Sequence, residues 1–449
     1  MEAKIEEMIN RAMAAQAAKF EEQLRQVEAR HQEELQRAEA RHQEELRKAR
    51  AEKEEKSDDD IFTVWERHVL SLRNYGYEFD ERDIASLSVE YRKSKNITPR
   101  FCDGNDIEPF STKYLLDMVS KLTRRSCPND VIELAVIMYL NRYYALVRGL
   151  STGGDYYKTI TDATNKEDKE ANVKVCRYIP KANSSIVKVL NFSVNGLKAS
   201  TTLNNSPWRL TFESVGMNCG EPNHDLLNMF TPHPYMIELK KYSRQQLKAL
   251  AREARAWEEL LRDLMGDRDS YEYSYNWLAH LVQFPGVKMG VILCMYGPKG
   301  IGKNTLLRPL QVLFGRHYLE TAAAGRDVFE GFNELLADKL IINLNEATNG
   351  KKENMGMLKH LTTDSEIVIN IKNMSKYSQP NILNFIIMSN EDWVVPAEED
   401  ERRYAVFKLK GRYSGSSTPE KEKYFSRIKA VPVKAVLAAL LLRDLSKWN

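Results

Sequence analysis

Residues 297–305 (GPKGIGKNT) combine three glycines with Lys303 at a spacing that suits phosphate binding. The glycines let backbone N–H groups turn toward the phosphates of a nucleotide, and Lys303 places a positive charge on the same oxygens. The loop follows a hydrophobic segment, residues 289–296, and precedes a helical segment, residues 306–314. Strand, glycine loop and helix in this order are the context that nucleotide binding requires. We predict that ATP binds along the loop, at Gly297, Pro298, Lys299, Gly300, Ile301, Gly302, Lys303, Asn304 and Thr305.

A magnesium contact is predicted at the end of this loop. Asn304 stands where such loops usually carry the Ser or Thr that binds Mg²⁺. An amide oxygen can ligate a hard cation, and the hydroxyl of Thr305 is the alternative ligand.

Two further strands end in polar residues that could act on a bound triphosphate. Residues 339–344 (KLIINL) end directly before Asn345 and Glu346, and we predict that this strand neighbours the strand of the glycine loop. A carboxylate at the carboxyl end of such a strand can polarise the attacking water, so Glu346 is the predicted catalytic base. Residues 382–388 (ILNFIIM) lead to Asn390, whose amide can hold that water or contact the γ-phosphate.

Arg402 and Arg403 directly precede another predicted strand, residues 404–409. A guanidinium here could neutralise charge in the transition state, on a nucleotide bound by an adjacent subunit. The alternative is an ordinary arginine pair held in salt bridges.

The first 56 residues contain no Gly or Pro and are rich in Glu, Gln, Arg, Lys and Ala, which favour helix. Residues 27–37 (VEARHQEELQR) are nearly repeated by residues 38–48 (AEARHQEELRK), a period of eleven. This period predicts a coiled coil that multimerises, with a straight or slightly right-handed course. A single solvated helix held by i,i+4 ion pairs is the alternative. The acidic residues 57–60 form the predicted linker.

The predicted fold class is α/β. A phosphate-loop ATPase core on a parallel sheet is preceded by a mostly helical region and, before that, by the coiled coil. Residues 61–225 read as helical and then mixed, without an indicated role. The ATPase domain is predicted over residues 226–412, including a helical lead-in, and a helical tail over residues 413–449.

Composition bounds the function classes. Of the 449 residues, 43% are apolar and 29% charged, which suits a soluble protein of two or three domains. The longest apolar runs are too short to cross a bilayer and no signal-peptide pattern opens the chain, so we expect an intracellular protein without a membrane partner. The five cysteines show no CxxC or CxxH spacing, which argues against zinc and disulfide frameworks. The body beyond residue 60 is mildly basic, with 54 Lys and Arg against 46 Asp and Glu.

The order of these motifs resembles the superfamily 3 helicases, specifically the helicase domain of viral and phage primase-polymerases and poxvirus-type primase-helicases. Glycine loop, strand ending in Asn-Glu, lysine-bearing segment, strand ending in Asn and arginine pair follow one another as in that family. The segment over residues 275–285 (YNWLAHLVQFP) is also similar to the stretch that precedes the family's first strand. The resemblance covers residues 226–412.

The resemblance implies an AAA+-like sheet and a homo-oligomeric ring, usually of six subunits, that moves along single-stranded nucleic acid, expected to be DNA. It also implies a DNA-contacting hairpin at residues 372–376 (KNMSK), flanked by residues 366–371 and 381–388. Lys372 is the lysine that matches the family's characteristic one, and Lys376 is a second predicted DNA contact.

This sequence departs from the family pattern at two points. Asn345 occupies the first position of the acidic pair, so an amide replaces a carboxylate at a predicted metal ligand. No primase motifs stand upstream, where the predicted coiled coil lies instead.

Three functions follow as hypotheses. The leading one is an ATP-driven nucleic-acid translocase or helicase in the replication of a virus or mobile element. The second is an ATPase for DNA packaging or protein remodelling, and the third is an element-derived scaffold whose ATPase is relict. Because the four predicted catalytic positions carry competent side chains, the third is disfavoured.

Overall fold

A computed structural model of the chain describes residues 69–77, 79–99, 110–148, 155–163, 174–181, 183–194, 196–321, 328, 332–345, 352–371, 376–390 and 402–448. The chain divides into two compact units, Met1–Gly76 and Tyr77–Asn449. Residues 69–76 are the described part of the first unit, and residues 69–74 are helical. The predicted coiled coil at residues 1–56 and the acidic linker at 57–60 lie outside the described residues.

The described part of the second unit begins with four helices, and side chains cap the starts of the first three. The four helices are α1 (Glu81–Ala85), α2 (Val89–Lys95), α3 (Thr112–Arg124) and α4 (Asn129–Asn141). Asp80 caps α1, Ser88 caps α2 and Ser111 caps α3, each accepting from a backbone N–H of the first turn. In α4 the residues from Val131 to Asn141 are mostly buried, because this helix is apolar on all sides.

A small mixed sheet follows α4, with short helices and two-stranded ladders around it. Its elements are β1 (Tyr144–Val147), β2 (Asp155–Ala163), β3 (Lys174–Lys181), α5 (Asn183–Val189), β4 (Ser193–Val194), β5 (Leu197–Lys198), α6 (Ala199–Asn205), β6 (Thr211–Phe212), β7 (Ser214–Gly216) and β8 (Leu226–Asn228). The sheet has the order β3-β2-β1-β6, with β2 antiparallel to both neighbours and β6 parallel to β1.

Four helices lead into the second sheet: α7 (Pro234–Leu239), α8 (Arg244–Ala251), α9 (Arg255–Met265) and α10 (Arg268–Gln283). A 3-10 turn, Arg252–Ala254, joins α8 to α9. Trp277 in α10 is fully buried and donates its indole N–H to the carbonyl of Val291, at 3.3 Å. The tryptophan of the segment 275–285 therefore fixes α10 against the entry to the central sheet.

The central sheet is fully parallel and has the strand order β10-β11-β14-β9-β15. The elements of this part are β9 (Ile292–Tyr296), α11 (Lys303–Phe314), β10 (Tyr318–Thr321), β11 (Ile341–Asn345), α12 (Lys352–Thr363), β12 (Glu366–Ile369), β13 (Tyr377–Pro380), β14 (Asn384–Ser389) and β15 (Tyr404–Lys408). The three inner strands are buried almost throughout, as expected when helices cover both faces of a parallel sheet. The predicted parallel α/β core is confirmed.

Two details of the strand predictions need correction. The strand that ends before Glu346, β11, does not neighbour the glycine-loop strand β9, because β14 pairs with both and separates them. The second strand of the predicted hairpin is β13, which pairs antiparallel with β12, whereas residues 384–389 belong to the central sheet. Strand order depends on pairing between distant segments, which the local pattern does not specify.

The C-terminal residues form α13 (Pro419–Lys429) and α14 (Val433–Leu442), and both share the core of the central sheet. The apolar helix α14 packs against α8 and α10. Gln283 at the end of α10 donates its amide to the carbonyls of Leu440 and Arg443. The helices predicted for residues 413–449 thus belong to the same packed body as the sheet. Among the described residues, no helix is long and apolar enough to span a membrane.

Candidate active site

The glycine loop, residues 297–302, connects β9 to α11 in a conformation that requires glycine. Gly300 and Gly302 have φ values of +77° and +106°, in the region that L side chains rarely adopt. A Cβ on Gly297 would lie 2.9 Å from the carbonyl oxygen of Leu409. Ile301 is buried between these glycines and anchors the loop to the core. The sequence pattern therefore reflects backbone requirements at each glycine.

Helix α11 begins at Lys303, directly after the loop. Gly302 occupies the N-cap position and has no side chain to cap the helix, so the first N–H groups of α11 are available to an anion. The partial positive charge of the helix N-terminus acts in the same direction.

Lys303 is 9% exposed and lies at the base of the loop. Its ammonium donates to the carbonyl oxygens of Gly297 and Pro298, at 2.5 and 3.2 Å, and to Oδ1 of Asn390, at 2.8 Å. Asn390 directly follows β14, the strand next to β9. Two residues that are 87 positions apart are thereby brought into one site.

A cleft of about 730 Å³ opens beside these residues. It is bounded by the start of α11, the carboxyl ends of β11 and β14, and one face of α13. The described residues that line it are Lys299, Gly300, Gly302, Lys303, Asn304, Thr305, Asn345, Met388, Ser389, Asn390, Ser417, Lys421, Glu422, Phe425, Ser426 and Lys429. Four of them are lysines and one is a glutamate, so the wall described here is strongly cationic and suits a polyanion such as a triphosphate.

The three predicted metal ligands, Asn304, Thr305 and Asn345, line this same cleft. Asn304 is exposed in the first turn of α11, and Asn345 is the last residue of β11. Their amide and hydroxyl oxygens are suitable ligands for Mg²⁺ that is also held by phosphates. The donor set therefore fits a nucleotide-bound magnesium ion. The described residues contain no group of three or more His, Cys, Asp or Glu side chains that could hold a metal without a nucleotide.

Glu346, the predicted base, follows the last residue of β11 and lies outside the described residues. The same holds for Lys372, the predicted DNA contact. Lys376 is exposed at the residue before β13. The base of the hairpin is held by Asn333, which donates to the carbonyl of Val368 and accepts from the N–H of Asn370.

Arg402 and Arg403 lie at the opposite edge of the sheet from the cleft. They directly precede β15, which runs parallel to β9 with Tyr404 opposite Ile292 and Lys408 opposite Tyr296. At ~3.3 Å per residue, the start of β15 is about 17 Å from the level at which the glycine loop begins. Arg403 also accepts a hydrogen bond from Ile292 through its backbone carbonyl. The arginine pair therefore does not line this cleft.

Helix α13 also contributes to the cleft, which was not predicted from the sequence. Lys421, Phe425 and Lys429 are spaced by four residues and so share one helix face, which is the signal that was available. The ammonium of Lys421 donates to the carbonyl of Gly415 at 2.7 Å. A Cβ on Gly302 would lie 2.7 Å from the ring of Phe425, so α13 packs directly on the glycine loop.

A buried histidine near the sheet has a structural role. His317 precedes β10, is 1% exposed, and accepts from the N–H of Thr231 at Nε2 while Nδ1 lies 2.6 Å from the carbonyl of Asp338. Burial lowers its pKa to about 3, and the nearby Arg316 guanidinium acts in the same direction. The imidazole is neutral at physiological pH and links the β10 and β11 segments to the lead-in.

Comparison with known proteins supports the resemblance drawn from the motifs. A family model described as a family of unknown function (DUF5906) matches residues 295–403, which contain the glycine loop, Asn345, Asn390 and the arginine pair. The DNA primase-polymerase of Nitratiruptor phage NrS-1 is 32% identical over 185 residues. This match covers 40% of the chain and 24% of the phage protein, so the chain spans less than a third of that relative's length.

Among solved structures, the apo C-terminal region of NrS-1 has a TM-score of 0.48 at 23% identity, covering 69% of each chain. A helicase of JCV has a TM-score of 0.29 at 14% identity, covering 47% of this chain and 60% of that one. The predicted resemblance to a phage primase-polymerase is confirmed by the sequence match.

Proposed function

We propose that residues 226–448 form a helicase-type ATPase that moves along single-stranded DNA in the replication of a virus or mobile element. The observation that carries this proposal is the buried Lys303, which lies between the glycine loop and Asn390 at the base of a cationic cleft. Similarity to a phage DNA primase-polymerase supports the replication context.

Within the cleft, the chain's own groups divide into three tasks. The N–H groups at the start of α11 and the Lys303 ammonium bind the β- and γ-phosphates, while Lys421 and Lys429 add charge from α13. Asn304, Thr305 and Asn345 would hold Mg²⁺, which would neutralise phosphate charge when it is bound. Asn390 exchanges its contact with Lys303 for one with the γ-phosphate or the attacking water.

Glu346 is the proposed general base. Its neighbour Asn345 lines the cleft at the carboxyl end of β11, the edge of a parallel sheet where ligands bind. A carboxylate at the next position can accept a proton from the attacking water.

We further propose that the chain assembles into a ring, with six subunits as the family resemblance implies. Arg402 and Arg403 support this assembly, because they lie far from the cleft of their own subunit and can act on a nucleotide only across an interface. The hairpin of β12 and β13 would then present Lys372 and Lys376 to DNA phosphates in the channel.

The test is ATP hydrolysis by the full chain with and without single-stranded DNA, together with strand displacement and solution mass in the presence of ATP. We expect stimulation by single-stranded DNA, unwinding of a tailed duplex, and a mass increase toward a hexamer. Stimulation by duplex DNA alone would favour packaging, and hydrolysis indifferent to DNA would favour protein remodelling. Absence of hydrolysis would overturn the proposal.

A further inference from the structure

Asn345 has a carboxylate partner on the adjacent strand. Its Nδ2 donates to Oε1 of Glu320 at 2.5 Å, and Oε2 of the same carboxylate accepts from Nε2 of Gln311 at 2.5 Å. Glu320 lies in β10 and Gln311 lies in α11, the helix that begins with Lys303. One carboxylate thus connects the phosphate-binding helix to the strand that leads to Glu346.

The sheet geometry makes this contact possible. Strands β10 and β11 are parallel, and Glu320 is in register with Asn343. Side chains two positions apart point to the same face of a strand, so Asn343 and Asn345 share the face to which Glu320 contributes. The carboxylate therefore reaches along the face toward the end of β11 rather than across the sheet.

The direction of this hydrogen bond determines which atom of Asn345 is presented to the cleft. A carboxylate only accepts, so it selects the NH₂ end of the amide as its partner. The amide oxygen is then the free end of a side chain that lines the cleft. An oxygen, unlike an NH₂ group, can ligate Mg²⁺.

We propose that Glu320 is a positioning residue that orients the amide oxygen of Asn345 toward nucleotide-bound Mg²⁺. Through its hydrogen bond to Asn345, the Glu320 carboxylate also supplies the negative charge that the amide lacks. This inference rests on the proposed ATPase function. It explains how a strand end with an amide in place of the usual carboxylate retains a metal-binding role: the carboxylate stands on β10 and acts through Asn345. Partners of metal ligands commonly change metal affinity by about 10- to 100-fold when they are removed.

The experiment measures binding of a fluorescent, non-hydrolysable ATP analogue to the full chain as Mg²⁺ is titrated. Glu320→Ala should raise the Mg²⁺ concentration at half-maximal binding by about tenfold and leave binding without Mg²⁺ unchanged. Glu320→Gln should have a smaller effect, since its amide oxygen still accepts from Asn345. Glu334→Ala is the matched control, because Glu334 is an exposed glutamate in the turn before β11. Thermal unfolding of each variant separates a metal effect from a folding effect.

A double-mutant comparison tests whether Glu320 acts through Asn345. In the Asn345→Ala background, Glu320→Ala should cause no further change in Mg²⁺ dependence. Additive effects, or an unchanged Mg²⁺ dependence in Glu320→Ala, would overturn the inference. If the parent chain shows no Mg²⁺-dependent binding of the analogue, the proposed ATPase function fails instead, so the two failures are distinguishable.

Discussion

The helical region and the cleft both bury polar side chains, but they use them differently. In the helical region, Asn141 is fully buried, and its amide forms hydrogen bonds with three backbone groups. It donates to the carbonyls of Ser86 and Trp208 and accepts from the N–H of Leu210. In the cleft, Lys303 is also buried, yet it lies at the wall of a cavity of about 730 Å³. The hydrogen bonds of Asn141 are all made within the protein and hold secondary-structure elements together. Lys303, in contrast, can exchange a hydrogen bond to the protein for one to a ligand in the cavity.

The helical region also contains an ion pair, between Arg142 and Asp83, whose hydrogen bonds are likewise made within the protein. Arg142 donates to both carboxylate oxygens of Asp83, at 2.8 and 2.7 Å, and Asp83 is 1% exposed. Asp83 also accepts from the backbone of Asp80 in the capping box of α1. Completed pairs of this kind connect α1 to α4, and nothing about them suggests a ligand. Location beside a cavity, rather than burial of charge, therefore distinguishes the candidate functional residues.

The largest expected effect is on hydrolysis when a cleft residue is changed. Lys303→Ala should abolish ATP turnover, because it removes the charge that orients the phosphates. Glu346→Gln should also block turnover but retain bound nucleotide. Steady-state hydrolysis and equilibrium nucleotide binding check both outcomes. Near-normal turnover in Glu346→Gln would show that another residue is the base.

Substituting the arginines tests whether they act on a nucleotide bound in the cleft of an adjacent subunit. Arg402→Ala and Arg403→Ala are measured separately, and the true finger should lose about 1000-fold in turnover. Mixing that variant with Lys303→Ala subunits should restore part of the activity, because an intact cleft then meets an intact arginine. If mixing restores nothing although the subunits coassemble, a role across an interface is excluded.

In the helical region the expected effect is on stability. Asp83→Ala should lower the free energy of unfolding by about 3–5 kcal/mol, since it leaves the mostly buried Arg142 guanidinium without its carboxylate. Asp225→Ala is the control, because the Asp225–Lys93 pair is about half exposed and should cost at most about 1 kcal/mol. Denaturant unfolding measures both. Equal losses in the two variants would contradict the distinction between buried and exposed pairs.

Replacing the lysines of the hairpin should weaken DNA binding and leave basal ATP hydrolysis in the cleft unchanged. Lys372→Ala should lose DNA-stimulated turnover while keeping basal hydrolysis, and each lost lysine at 372 or 376 should reduce the salt slope of single-stranded DNA binding by about 0.7. Lys447→Ala, at an exposed lysine near the C-terminus, is the control. Unwinding by Lys372→Ala at the parent rate would exclude the hairpin as the DNA contact.

The smallest effect concerns pH. Because the pKa of His317 is about 3 in the folded chain and ~6.5 when unfolded, the unfolded state binds the extra proton between these values. The contribution of neutral His317 to the free energy of unfolding is fully present above about pH 6.5. Below that pH it falls by up to ~1.4 kcal/mol per pH unit. The melting temperature measured from pH 7.5 to 5 should therefore fall less steeply in His317→Gln. An identical slope in the two proteins would show that other groups dominate.

The glycine loop could be predicted from the sequence because its requirements are local. Strand, loop and helix are contiguous in the chain, and a positive φ at Gly300 and Gly302 depends on the absence of a Cβ. The buried strands were predictable for the same reason, since continuous apolar runs with short lengths form parallel strands covered on both faces. Motif order was enough to find the resemblance to a phage primase-polymerase, which the sequence match confirms.

Only the tertiary structure decided which of these segments meet. Placing β14 between β9 and β11 is a matter of long-range pairing, and it is this order that brings Asn390 to Lys303. The lysines of α13 and the carboxylate of Glu320 reach the cleft region through helix and strand packing across distant parts of the chain. A local pattern specifies the period and the backbone conformation of a segment. Its neighbours depend on how the apolar faces of all segments are buried together.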